Sequence, residues 1–240
     1  MSSTTQTGTI LQIDRLVKRF GGITAVDEVS FELAGNGITG VIGPNGAGKT
    51  TLFNLISGAY NPTKGKIRFN GERIDQYASH QIADRGIGRT FQISRPFGEM
   101  SVQENLITAN YDLPKATRRR RVEDVLAMLD LTHQADVLGK NLSGGQQTLL
   151  EIGRVLMFDP ALVLLDEPAA GVNPKLVDDI ASLITETSDE RMYMIVEHDI
   201  TLISRLCERV LVLNEGELIA DDSIDVIKND SRVKKAYLGE

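Results

Sequence analysis

Short apolar runs alternate with stretches of helical periodicity along most of the chain, the pattern of an α/β fold with a mostly parallel sheet. Strand 39–42 leads directly into a glycine-rich segment, and a helix over 49–57 follows until Gly58 ends it. The runs that predict strands are 10–17, 29–33, 39–42, 66–69, 162–165, 192–196, 210–213 and 218–220. We expect a mixed, mostly parallel sheet as the core.

The pattern changes between residues 93 and 141, where strand signals vanish. Valines and leucines recur there at helical spacing and predict a helix over 122–131. We therefore expect one domain over 1–240, in which a core of 1–92 and 142–240 carries an inserted helical subdomain of roughly 93–141.

The turns at the two ends of the chain complete this picture. Strands 10–17 and 29–33 are joined through Gly21-Gly22, which predicts an antiparallel β subdomain at the N-terminus. Asn70-Gly71 is a good hairpin dipeptide after strand 66–69. The tail from Ile224 has a helical pattern.

Composition excludes several classes of protein. The 26 Lys and Arg against 33 Asp and Glu give a net charge of −7, so no nucleic-acid partner is expected from charge. A single cysteine, Cys207, excludes an internal disulfide and indicates a reducing compartment. No apolar run approaches the roughly 20 residues of a membrane helix, and no secretory signal is expected over 1–9.

Residues 43–50 fit the phosphate-binding pattern G-x-x-x-x-G-K-[ST], with a strand before and a helix after. Glycines let backbone N–H groups turn toward phosphate oxygens, and the helix adds its positive N-terminal end. Lys49 is expected to neutralise the β- and γ-phosphates, and the Thr50 hydroxyl to bind Mg²⁺. The predicted nucleotide-binding residues are Gly43, Pro44, Asn45, Gly46, Ala47, Gly48, Lys49, Thr50 and Thr51.

Acidic and histidine residues follow two predicted strands. Asp166-Glu167 ends the run 162–165, and ligands of open α/β sheets bind at the carboxyl ends of strands. Asp166 can therefore reach Mg²⁺, and Glu167 can act as general base toward a water. The alternative is an acidic turn before Pro168. His198, after strand 192–196, is a candidate for γ-phosphate contact, or else a capping residue.

A second anion-binding helix end is predicted at residues 142–146, Leu-Ser-Gly-Gly-Gln. Ser143 is a good N-cap for a helix over 147–158, and Gly144 and Gly145 leave backbone N–H groups open to an anion. Gln146 completes the motif. The alternative is an ordinary capped helix start.

With these motifs in this order, the chain resembles the ATPase subunit of ATP-binding-cassette (ABC) transporters over nearly its whole length. The resemblance implies a phosphate-loop NTPase fold that binds ATP and Mg²⁺, and a head-to-tail dimer. In that dimer, ATP on Lys49 is covered by Ser143–Gln146 of a second cassette. It also implies that Gln92 is a catalytic and metal-binding residue, and that Phe20 stacks on adenine; the alternative for Phe20 is a core position.

The resemblance also implies a place in the cell and partners. The protein is expected at the cytoplasmic face of the cell membrane, held there by transmembrane permease subunits. A permease helix is expected to dock in a groove near 91–100. A solute-binding protein outside the membrane would be an indirect partner, and the second cassette could be identical or different.

Residues 89–92, 167–174 and 236–240 are similar to the first ATPase subunit of branched-chain amino acid importers, whose relatives also import amides and urea. Lipopolysaccharide-export ATPases are similar at the C-terminus and remain a rival. A soluble cassette ATPase acting on nucleic acid or the ribosome is a further alternative. Asn173 stands where cassettes usually carry an aspartate, which leaves the coupling between the two ATP sites open.

Overall fold

A computed structural model describes residues 9–90, 96–110 and 113–238, in which two β-sheets are flanked by helices. The four-stranded antiparallel sheet has the order β2-β1-β4-β5, with β1 Thr9–Phe20, β2 Ile23–Ala34, β4 Lys64–Phe69 and β5 Glu72–Arg73. The six-stranded sheet has the order β10-β9-β3-β8-β7-β6, with β3 Gly37–Ile42, β6 Ile87–Arg89, β7 Leu162–Asp166, β8 Met192–Val196, β9 Arg209–Asn214 and β10 Glu217–Ser223. Only the β9–β10 pair is antiparallel within the described part of that sheet, which confirms the predicted fold class.

The helices connect the strands, and the three helices described between β6 and β7 form a lobe. They are α1 Lys49–Ile56, α2 Ser79–Ala83, α3 Val102–Ala109, α4 Lys115–Met128, α5 Gly144–Leu156, α6 Pro174–Thr187, α7 Ile200–Leu206, α8 Ile224–Ile227 and α9 Ser231–Leu238, with 3₁₀ turns at Thr132–Gln134 and Gly139–Asn141. Among the residues described, no helix has both the length and the apolar character that crossing a bilayer requires.

The first two strands are longer than their apolar runs predicted, and each contains a bulge. The buried positions Leu11, Ile13 and Leu16 do not keep the two-residue period of a regular strand. Arg15 has a φ of +43°, and the register with β2 shifts there, so all three side chains face the core. Glu28, with a φ of +48°, lies at the corresponding bulge in β2.

The lobe helices pack through a glycine. A Cβ on Gly153 of α5 would lie 2.4 Å from Leu129 Cδ1 and 3.2 Å from Val125 Cγ1, so the helices approach closely there. The buried apolar residues of the lobe belong to the same cluster as Val163 and Leu165 of β7. The predicted division of the chain into 1–92, 142–240 and roughly 93–141 remains a proposal.

Candidate nucleotide site

The phosphate loop between β3 and α1 depends on glycines. Gly43 and Gly48 have φ angles of +151° and +101°, which L side chains rarely adopt. A Cβ on Gly43 would lie 2.1 Å from the Leu213 carbonyl oxygen, and one on Gly48 would lie 2.3 Å from that of Ala25. The loop is therefore closely packed against the backbones of β9 and β2.

Lys49 begins α1, and 6% of its surface is exposed. Its Nζ donates hydrogen bonds to the carbonyl oxygens of Gly43, at 2.7 Å, and Pro44, at 3.0 Å. Burial lowers the pKa of the Lys49 ammonium, and the carboxylates of Glu167 and Asp166 oppose that shift. The lysine charge is thus held inside the loop and near both acidic residues.

The first turn of α1 offers its N–H groups to an anion. Gly48 provides no side-chain cap, and the first helical bond runs from the Leu52 N–H to the Gly48 carbonyl. An uncapped helix N-terminus favours negative charge. Thr50 is exposed and Thr51 half-buried in this turn.

Asp166, at the end of β7, forms a buried ion pair that the sequence did not predict. Arg89 Nη2 lies 3.2 Å from Asp166 Oδ2, and Arg89 Nη1 donates to Asn54 Oδ1 at 2.7 Å and Ser57 Oγ at 2.9 Å. Burial raises the pKa of the Asp166 carboxyl, and Arg89 opposes the shift. Arg89, on β6 beside β7, therefore links β7 to α1.

Glu167 and His198 contact each other. His198 Nε2 lies 2.9 Å from Glu167 Oε1, while the Glu167 amide donates to the Val196 carbonyl at 2.9 Å. Glu167 has a φ of +52°, in the left-handed region that non-glycine residues seldom occupy. The structure thus brings together the two side chains that the sequence placed at neighbouring strand ends.

The Leu-Ser-Gly-Gly-Gln motif lies apart from this cluster. Ser143 caps α5: its Oγ accepts from the Gln146 amide at 3.4 Å, and Gln146 Oε1 accepts from the Ser143 amide at 3.0 Å. A Cβ on Gly145 would meet Leu176 Cδ1 at 2.5 Å, whereas Gly144 is exposed. Within the ranges described, no hydrogen bond or ion pair joins this motif to the phosphate loop.

Phe20 is 42% exposed, so it does not occupy a core position. Its ring meets Tyr60 edge-on, with centroids 5.3 Å apart, and Lys18 Nζ lies 5.0 Å from the Phe20 ring centroid. Sequence reasoning missed Tyr60 and Lys18. Gln92, the predicted catalytic and metal-binding glutamine, lies outside the described residues.

A glycine loop between a buried strand and a helix, with acidic residues at the end of another strand of the same sheet, defines a phosphate-loop nucleotide-binding protein. The sequence model of the family described as "ABC transporter" matches residues 26–170. The chain belongs to this family and is an ATP-hydrolysing cassette.

Known proteins resemble the chain over nearly its whole length. It is 40% identical to BraF, the high-affinity branched-chain amino acid transport ATP-binding protein of Pseudomonas aeruginosa, over 96% of this chain and 98% of BraF. It is 37% identical to the lipopolysaccharide export ATP-binding protein LptB of Haemophilus influenzae, with the same coverage. The ADP conformation of MJ1267, an ATP-binding cassette of an ABC transporter, superposes with a TM-score of 0.88 at 33% identity, covering 98% and 100% of the chains.

Proposed function

We propose that this chain powers the import of branched-chain amino acids or related small amides by hydrolysing ATP at the cytoplasmic face of the cell membrane. The observation that carries the proposal is the 40% identity to BraF over nearly the full length of both chains. Lipopolysaccharide export is the second candidate, because LptB matches at 37% with equal coverage.

Two oxygen-bearing side chains near the phosphate loop fit a magnesium ion. Asp166 Oδ1 is buried and has no hydrogen-bond partner among the described residues, and Thr50 adds a hydroxyl beside the phosphate loop. Mg²⁺ prefers oxygen ligands and keeps several waters, so a few protein oxygens are enough. Thr50 and Asp166 would hold the ion, with Gln92 by resemblance to the family, and the ion would offset phosphate charge.

The chain's own residues then carry out hydrolysis by positioning and proton transfer. The ammonium of Lys49 leaves its two loop carbonyls for the β- and γ-phosphates of ATP. Glu167 Oε1 accepts a proton from the attacking water, and His198 orients that carboxylate across the 2.9 Å contact. Phe20 offers its exposed ring to the adenine.

A complete site needs a second cassette. Ser143 and Gly144 are exposed at an N-terminus of a helix that lies away from the phosphate loop of the same chain. In a head-to-tail dimer, Ser143, Gly144, Gly145 and Gln146 of one subunit would cover the γ-phosphate bound to the other. ADP lacks that phosphate, so hydrolysis would reopen the dimer.

The permease would bind beside the lobe. A cavity of about 490 Å³ opens there, and exposed Phe97, Met100 and Phe158 form part of its lining, with the Arg154 guanidinium 4.7 Å from the Phe97 ring centroid. An exposed apolar patch of this kind is typical of a protein interface. It includes part of the groove predicted near 91–100, of which 91–95 lie outside the described residues.

Co-purification from native membranes tests the importer assignment. The tagged chain would be extracted in mild detergent, its companions identified by mass spectrometry, and an untagged strain used as control. We expect to recover two multi-span permeases and a second cassette, whose genes should lie beside a gene for a solute-binding protein. A lipid-export permease pair would select the LptB-like function, and recovery with ribosomes or DNA alone would contradict transport.

A further inference from the structure

Glu197 is a buried carboxylate to which the proposed hydrolysis mechanism assigns no role. It lies between β8 and His198, and only 4% of its surface is exposed. Its Oε1 accepts a hydrogen bond from the Ala169 amide at 2.8 Å, and its Oε2 accepts one from the His198 amide at 3.2 Å. A single side chain therefore joins the loop after β7 to the loop after β8.

Both loops carry residues of the candidate catalytic pair. Ala169 is two residues after Glu167, and the second amide belongs to His198 itself. Glu167 has a φ of +52°, and such a conformation persists in a non-glycine residue only where its surroundings hold it. The Val196 carbonyl holds the Glu167 amide, and Glu197 holds the chain immediately beyond.

The hydrogen bonds to the Glu197 carboxylate come from backbone amides. Burial, and to a smaller extent the nearby Glu167 carboxylate, raise the pKa of the Glu197 carboxyl, whereas the hydrogen bonds from the Ala169 and His198 amides oppose the shift. A carboxylate accepts from both amides at once, but a glutamine would turn an NH₂ group toward one of them. The site is thus specific for the acid.

We propose that Glu197 is a positioning residue, which holds Glu167 and His198 in the geometry for hydrolysis through the backbones of their two loops. The proposal rests on the proposed role of Glu167 as general base. Glu197 reaches the reacting atoms only through these neighbours, so its loss should slow turnover and leave ATP binding by the phosphate loop unchanged.

The first test compares the kinetics of Glu197→Gln with those of Glu208→Gln, which removes the same charge from an exposed position. We expect E197Q to lower kcat by about 10- to 100-fold with KM for ATP changed less than about twofold, because small displacements of catalytic groups have effects of that size. E208Q should match the wild type. Wild-type kcat in E197Q, or an effect on KM alone, would overturn the proposal.

The second test asks whether Glu197 acts through Glu167. In the Glu167→Gln background, adding E197Q should produce no further loss of hydrolysis, since residues that act as one unit are not additive. If E197Q lowers hydrolysis by the same factor in the wild-type and the Glu167→Gln backgrounds, Glu197 does not act through Glu167 and the proposal is overturned. If Glu167→Gln alone hydrolyses ATP normally, the assignment of the base fails, which is a different result.

A third measurement needs no variant that has to fold. Amide hydrogen exchange in the wild-type chain should show the Ala169 and His198 amides protected relative to the exposed Gly144 amide. Exchange of both at the rate of Gly144 would overturn the proposal. If E197Q folds, its Ala169 amide should exchange faster while the core strand β8 keeps its protection.

Discussion

The buried ion pair between Arg89 and Asp166 holds the strand end with the candidate base next to the phosphate-loop helix. Both side chains are at least nine-tenths buried, and burial lowers the pKa of Arg89 while it raises that of Asp166. These directions mean that desolvation outweighs the attraction between the two charges. Such a pair adds little net stability when intact, but each charge depends on the other.

Replacing Arg89 with methionine should therefore destabilise the nucleotide-free protein. We expect the free energy of unfolding at neutral pH to fall by about 3 kcal/mol, because the Asp166 carboxylate is left buried without a hydrogen-bonded cation. The loss should shrink as the pH falls. The pKa of Asp166 is already raised, so the folded state takes up a proton at a higher pH than the unfolded chain, and the neutral acid needs no cation.

Denaturant titrations at several pH values measure this effect. Arg119→Met is the matched control, since Arg119 pairs with Glu123 on the exposed surface of α4 and should contribute less than about 1 kcal/mol. The interpretation of the ion pair would be contradicted if Arg89→Met lowered the free energy of unfolding no more than Arg119→Met does, or if its effect grew as the pH falls.

At the level of elements, α3 and α5 begin with the same capping box. Ser101 Oγ accepts from the Glu104 amide at 3.3 Å, as Ser143 Oγ accepts from the Gln146 amide at 3.4 Å. Ser101 is buried within the lobe, whereas Ser143 is exposed. The two helix starts share one structural role, and the proposed function gives a second role only to Ser143.

Alanine at each cap separates these roles. Ser101→Ala and Ser143→Ala should each lower the free energy of unfolding by about 1 kcal/mol, the usual effect of a lost N-cap. Only Ser143→Ala should also reduce ATPase activity, and it should do so most where dimer formation limits the rate. Thermal unfolding and steady-state hydrolysis measure both effects, and equal activities in the two variants would show that Ser143 is a cap alone.

The sequence predicted elements well where the hydrophobic pattern is regular. Strands such as β8 and the helix after the phosphate loop were found almost to the residue. The bulge at Glu28 breaks the two-residue alternation, so the part of β2 before residue 29 was missed. Strand β1 continues beyond its apolar run through Lys18-Arg19-Phe20, so its end was missed. Strand β6 was missed, because it has three residues and its Gly88 shows no pattern; a Cβ there would lie 2.3 Å from Val155 Cγ1.

Site residues were predictable where a local motif carries the chemistry. The phosphate loop and Asp166-Glu167 each follow a strand, so their positions could be inferred from neighbouring residues in the chain. Helix α5 begins three residues before its predicted start, because the two glycines belong to its first turn. Arg89 and Glu197 act through contacts between distant segments, and no local pattern indicates them.

At the level of the whole molecule, the phosphate loop and the Leu-Ser-Gly-Gly-Gln motif are separate surfaces of one chain. In the proposed mechanism, two cassettes meet with ATP between these surfaces, and hydrolysis separates them. In the proposed transporter, other subunits bind the solute, so the sequence and fold of this cassette do not select it. The dimer, in contrast, can be tested on purified cassettes, with this chain alone and with the co-purified second cassette.

The most direct test measures ATP hydrolysis and sedimentation of Glu167→Gln with Mg²⁺ and either ATP or ADP. We predict that turnover falls by at least about 100-fold, the usual contribution of a general base, while ATP still binds. The variant should sediment as a dimer with ATP and as a monomer with ADP, because only the γ-phosphate joins the two surfaces. Hydrolysis at the wild-type rate, or no ATP-dependent dimer either of this chain alone or with the co-purified second cassette, would contradict the account.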